Sequence, residues 1–180
     1  MFLLGIIALL SGTLGVWLTI KENIWCWPVS LIAVVSSVIE FYVQRLFGDM
    51  SLQILYFFIG IYGWIYWNGK KKEVFVVKKM NIKQSPLLII ITLVQFFIYY
   101  KLLIYFKGDR PLLDALLTAA SLTATYMMTK KWVENWLAWI LIDAIYVLLY
   151  GLKDMWLFAL LYLLFTGMAF YGWIKWRRTI

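Results

Sequence analysis

The chain has 180 residues, of which 64% are hydrophobic and 14% charged, with a mean hydropathy of +0.84 and a formal net charge of +8. Globular domains are about 45 to 50% apolar, so this composition excludes a water-soluble fold and makes lipid the solvent. The absence of His and the presence of a single cysteine, Cys26, remove disulfides, metal sites built on His or Cys clusters and a Ser-His-Asp triad.

A membrane-spanning helix needs about 20 mainly apolar residues, because unpaired backbone groups are costly in hydrocarbon. Seven segments meet that description. In chain order they are Phe2 to Ile20, Ile24 to Gln44, Ser51 to Trp67, Pro86 to Phe106, Leu112 to Thr129, Trp132 to Tyr150 and Met155 to Trp176. Short polar or turn-forming separators divide them, among them Lys21-Glu22-Asn23, Phe47-Gly48-Asp49, Lys107-Gly108-Asp109-Arg110-Pro111, Lys130-Lys131 and Gly151-Leu152-Lys153-Asp154. The one long connection, Asn68 to Ser85, carries six lysines. The first segment lacks the basic start and small-residue cleavage site of a signal peptide and is expected to stay in the membrane.

The chain repeats itself. Tyr62-Gly63-Trp64-Ile65-Tyr66-Trp67 returns 109 positions later as Tyr171-Gly172-Trp173-Ile174-Lys175-Trp176. Glu22-Asn23 with Trp27 matches Glu134-Asn135 with Trp139 at an offset of 112. Segments one to three thus map onto five to seven and leave the fourth unpaired. The expected fold is all-α: a polytopic membrane protein with two parallel three-helix repeats and a linker helix, three plus one plus three. The first bundle covers residues 1–67, a basic loop 68–85, the linker helix 86–106 and the second bundle 112–176.

Twelve of the seventeen Lys and Arg residues fall on one side if the first helix starts outside, which predicts an external N-terminus and a cytoplasmic C-terminus. The positive charge is then topology and contact with anionic lipid, with no nucleic-acid partner. Within the basic loop, the run Glu73 to Val77 reads as ordinary solvated loop. Ten of the eleven tryptophans gather toward the inner helix ends, where most are expected to anchor in the headgroup region.

The sixth segment carries the chemistry. Trp132, Trp136, Trp139 and Asp143 follow i, i+4, i+7, i+11 spacing on one helix stripe, with Asn135 on a neighbouring edge. An acid near mid-span costs several kcal/mol unless it meets water, a cation or a partner, and so marks a functional site. Aromatic faces beside a carboxylate suit a flat cationic ligand. Gln53 with Tyr56 on the third helix and Gln95 on the fourth are further polar contacts. Glu22 and Asn23 open the second helix, where they are expected either to cap it or to contribute to binding. At an offset of 112 the first-copy counterpart of Asp143 falls near Leu31, so the copies share scaffold and not chemistry.

Lys21-Glu22-Asn23 with Trp27-Pro28, Asp49 with Leu52-Gln53 and Tyr56, Tyr62-Gly63-Trp64 with Trp67, and Asn135-Trp136-Leu137-Ala138-Trp139 with Asp143, Tyr146, Leu149-Tyr150 and Lys153 together resemble the PnuC-type vitamin transporters. The resemblance spans nearly the whole chain. It implies a full-length relative of the SWEET sugar carriers in the bacterial inner membrane. It also implies uptake of a vitamin, most often nicotinamide riboside, by facilitated diffusion with trapping by phosphorylation. Substrate binding is carried over to Gln53, Trp136, Trp139 and Asp143, with Trp64 and Trp67 as ring-stacking or gate residues, and a homotrimer is implied. Val29-Ser30 departs from the family's Gly after Trp27-Pro28. Nicotinamide riboside carriers tend to have Asn where this chain has Asp143, and Asp is similar to thiamine-type relatives. Thiamine is therefore the alternative substrate, and a non-transporting membrane receptor a more remote one. No enzyme activity, cofactor or metal is expected, and no P-loop for ATP coupling is present in the sequence.

Overall fold

The computed structural model of the protein describes residues 2–43, 47–69, 75–106, 110–152, 154 and 156–180. Gln44, Lys70, Lys71, Lys72, Glu73, Val74, Lys107, Gly108, Asp109, Lys153 and Met155 lie outside the described residues, as do the side chains of Phe2, Phe47, Asp49 and Leu157.

Seven α-helices overlap the expected segments: α1 Phe2–Ile20, α2 Cys26–Val43, α3 Phe47–Gly69, α4 Ser85–Tyr105, α5 Pro111–Thr129, α6 Glu134–Gly151 and α7 Trp156–Arg177; Phe47-Gly48-Asp49, expected as a separator, instead opens α3, four residues before Ser51. Pro86 and Pro111 sit in the first turns of α4 and α5, where a missing N–H costs nothing. Six of the helices are long and apolar enough to cross a membrane. The exception among the seven expected spans is α6, whose 18 residues include Glu134, Asn135 and Asp143, polar groups that lower its hydropathy. Among the described residues the extended contact is a single bridge between Lys78 and Trp132.

The chain forms two compact units, residues 1–76 and 77–180. In the first, α2 packs against both α1 and α3. Glycines allow the close approach: Gly15 of α1 faces Ser30, while Gly60 and Gly63 of α3 face Leu31 and Trp27. Small residues take this role in membrane bundles because lipid supplies no hydrophobic drive between helices. In the second unit α4 packs on α5, α5 on α6 and α6 on α7. The most buried helix there is α5, whose Ala115, Thr118, Ala119, Ser121, Ala124 and Thr125 keep its backbone close to its neighbours.

The repeat is visible at the level of single bonds, and it corrects one sequence alignment. Glu22 closes α1 in the left-handed region at φ 56, and its N–H donates to the Thr19 carbonyl at 2.9 Å, while Asn23 N–H reaches back to Leu18 at 2.9 Å. Lys131 closes α5 at φ 52 with the same pair of bonds, to Met128 at 3.0 Å and, from Trp132, to Met127 at 3.1 Å. Both are Schellman-type ends. Every equivalence is 109 positions, so Glu22 matches Lys131 and not Glu134, and Trp27 matches Trp136 and not Trp139. The first-copy counterpart of Asp143 is accordingly Val34.

Residues 77–84 are not a free loop. Lys78 N–H donates to the Lys131 carbonyl and Val133 N–H to the Lys78 carbonyl, each at 3.0 Å, and Glu134 Oε2 accepts from Met80 N–H at 2.9 Å. This strap lies against the α5–α6 turn, with Val77 buried.

Candidate functional site

The tryptophans divide in a way that the anchoring expectation did not foresee. Trp17, Trp25, Trp64 and Trp156 are exposed, as interfacial residues should be, but Trp27, Trp67, Trp132, Trp136 and Trp176 are buried between helices. In each unit one indole seats on a glycine. A Cβ at Gly63 would overlap the ring of Trp27, and one at Gly172 would stand 2.7 Å from Trp136. A second indole meets the first edge-on: Trp67 against Trp27 at 5.5 Å and 89°, Trp176 against Trp136 at 5.3 Å and 84°. The indole nitrogens of Trp27 and Trp136 are both buried without a hydrogen-bond partner among the described residues.

Trp132 does not share the α6 stripe, because α6 begins at Glu134. It belongs to a cluster with Leu88 of α4 and Met127 of α5, and its ring lies edge-on to Tyr126 at 6.1 Å. The rest of the stripe stands. Trp136 is 2% and Asp143 6% exposed, about 10 Å apart along the axis at 1.5 Å per residue. Between them the half-buried Trp139 packs on Leu117, Ala124 and Ile142, where α5 meets α6. Asn135 is fully buried. Its amide Nδ2 donates to the Trp132 carbonyl at 2.6 Å, which leaves Oδ1 without a partner among the described residues.

Asp143 has neither a hydrogen bond nor an ion pair among the described residues. A carboxylate that is nine-tenths buried and unpaired is expensive, so it needs either a proton or a positive charge from outside the chain. No group of three or more acidic or Cys side chains able to hold a metal ion occurs among the described residues.

Gln95 of α4 is tied into helix packing. Its Oε1 accepts from the Thr123 hydroxyl of α5 at 3.2 Å, and Thr123 also bonds Thr92 of α4 at 2.8 Å. In the first unit Gln53 and Tyr56 of α3 are half-buried, Trp64 is exposed, and Trp67 is buried between Trp27 and Phe75.

One cluster was not foreseen as such, although Tyr146 and Tyr150 belong to the residues that carry the resemblance. Tyr146, Tyr150, Phe158 and Tyr162 stack at the α6–α7 end, and Tyr146 sits one turn beyond Asp143. The i, i+4 spacings of Tyr146 with Tyr150 and of Phe158 with Tyr162 were the available signal.

The family model for nicotinamide mononucleotide transporters matches residues 2–178. The chain belongs to that family. It is a multi-pass membrane transporter and not an enzyme. Relatives include the nicotinamide riboside transporter PnuC of Escherichia coli, 26% identical over 93% of this chain and 82% of the relative. The riboflavin/roseoflavin transporter RibM of Streptomyces davaonensis is 24% identical over 98% of this chain and 84% of its own length. The crystal structure of the vitamin B3 transporter PnuC shares the fold, with a TM-score of 0.79 at 23% identity, over 98% of this chain and 81% of that one.

Proposed function

We propose that this transporter takes up nicotinamide riboside across the bacterial inner membrane by facilitated diffusion, with phosphorylation in the cytoplasm trapping the product. The observation that carries a cationic aromatic substrate is Asp143, buried beside Trp139 with no hydrogen bond or ion pair among the described residues. Nicotinamide riboside has a permanent positive charge on a flat aromatic ring, so the carboxylate offsets that charge while indole faces hold the ring. The names of the PnuC relatives point to the same substrate.

Asp143, Trp136, Trp139 and Asn135 form the charge-and-ring part of the proposed site. Gln53, Trp64 and Trp67, which the resemblance assigns to substrate or gate, and the polar candidates Tyr56 and Gln95 complete the set. The SWEET-like arrangement of two bundles and a linker helix, an external N-terminus, a cytoplasmic C-terminus and a homotrimer belong to the same proposal. The distribution of Lys and Arg supports the orientation. Alternating access then follows from rocking one repeat against the other, as in other duplicated carriers.

Asp143 also favours a second substrate, thiamine, which carries a fixed ring charge of the same sign. Riboflavin, which has an uncharged ring system, suits a buried carboxylate poorly. Proteoliposomes given radiolabelled nicotinamide riboside, thiamine or riboflavin test the reading. Nicotinamide riboside should accumulate to equilibrium without an energy source. Thiamine accumulation alone would transfer the assignment to thiamine, and binding without accumulation would make the protein a receptor.

A further inference from the structure

Four rings stack at the α6–α7 end of the second unit, the end away from Lys130, Lys175, Arg177 and Arg178. Phe158 lies 5.3 Å from Tyr150 at 24°, Tyr150 lies 5.4 Å from Tyr162 at 12°, and Tyr162 lies 4.6 Å from Tyr146 at 25°. Tyr150 also stacks on Tyr146, at 6.0 Å and 23°, so the file runs from the exposed Phe158 into a cluster of three tyrosines whose Tyr146 is three residues from Asp143. Near-parallel stacking is unlike the edge-on indole pairs at the other end of the helices, which lie at 84° and 89°.

The repeat shows what each bundle is built on. The glycine, the seated indole and the edge-on indole all recur at 109 positions, so both copies use them as scaffold, Trp136 and Trp67 in addition to the substrate or gate roles proposed above. The stacked file does not recur. At the same register the first copy has Ser37 for Tyr146, Phe41 for Tyr150, Asp49 for Phe158 and Gln53 for Tyr162. A three-helix bundle of this kind therefore forms without the file. What accompanies the file in the second copy is Asp143, a buried carboxylate whose first-copy counterpart is the apolar Val34.

We propose that Tyr146, Tyr150, Phe158 and Tyr162 form a ring-selective approach to Asp143 that determines specificity for flat aromatic cations. This rests on the transport reading above and adds the residues that select the substrate. Each ring face is negative and attracts a cation. A planar cation that displaces one ring from its neighbour takes up the freed face on its way to the carboxylate. A cation without a planar ring gains the charge attraction but no stacking, and a neutral aromatic gains stacking but no counter-charge.

The test compares wild type with Tyr162→Leu, Tyr162→Phe and Tyr150→Leu in proteoliposomes, after size-exclusion chromatography and thermal melting have established that each variant is folded. Initial rates are measured against nicotinamide riboside concentration. Losing one ring face should raise KM about fivefold in each Leu variant, as expected for one aromatic contact. Tyr162→Phe, which keeps the face, should recover most of that loss. Unchanged KM in both folded Leu variants overturns the proposal and leaves the transport reading standing. A Phe variant as impaired as Leu also overturns it, since the hydroxyl would then matter and not the ring. Wild-type vesicles that accumulate none of the substrate would overturn the transport reading and this inference with it.

Discussion

Trp136 lies flat on Gly172, so close that a Cβ there would be 2.7 Å from the indole, and Trp27 occupies the same place on Gly63. The seat is possible only because position 172 has no side chain. Gly172→Ala forces the ring or the helix to move, an overpacking that costs typically about 1 to 3 kcal/mol. A lowered melting temperature in detergent should report it, and Gly63→Ala should behave alike. Gly167, which has open space around it, is the control: Ala there should be neutral or stabilising by about 0.5 to 1 kcal/mol through helix propensity.

One carboxylate holds the strap alongside its two backbone bonds. Glu134→Ala removes the acceptor for Met80 N–H, and a hydrogen bond to a charged group contributes about 1.5 to 3 kcal/mol. Amide exchange at Met80 should accelerate by about ten- to a hundredfold. Glu134→Gln, which keeps a neutral acceptor, should fall between the two.

Thr123 and Gln95 make a second testable pair. Interhelical hydrogen bonds within bilayers average about 0.6 kcal/mol. A double-mutant cycle with Thr123→Val and Gln95→Leu should therefore give a coupling of roughly that size. A coupling near zero would mean that the 3.2 Å contact contributes nothing to holding α4 on α5.

The helices were largely legible in the sequence because each is a long apolar run closed by charge or turn residues. Phe2–Ile20 was placed to the residue, and α5 differs by the one position of Pro111. The details of the repeat were harder to read. Two Glu-Asn dipeptides, Glu22-Asn23 and Glu134-Asn135, suggested an offset of 112, whereas the backbone equates Glu22 with Lys131. Neither residue is the glycine that usually marks a left-handed helix end, so no residue type announced the match. Tryptophan burial was hidden for a related reason. An indole near a helix end can face headgroups or a neighbouring helix, and only the glycine opposite Trp27 or Trp136 decides which. Asp143 was found because a mid-span acid is rare. Tyr146 and Tyr150 were noted only within the resemblance, and their stacking with Phe158 and Tyr162 was not foreseen because aromatic residues are abundant throughout this chain.

The most direct test of the account is the affinity of nicotinamide riboside for wild type and for Asp143→Ala, measured by calorimetry on purified protein. Removing the carboxylate should weaken binding about tenfold or more, the scale of a lost desolvated charge pair. An Asp143→Ala variant that binds the cation as tightly as wild type would contradict the role assigned to the carboxylate.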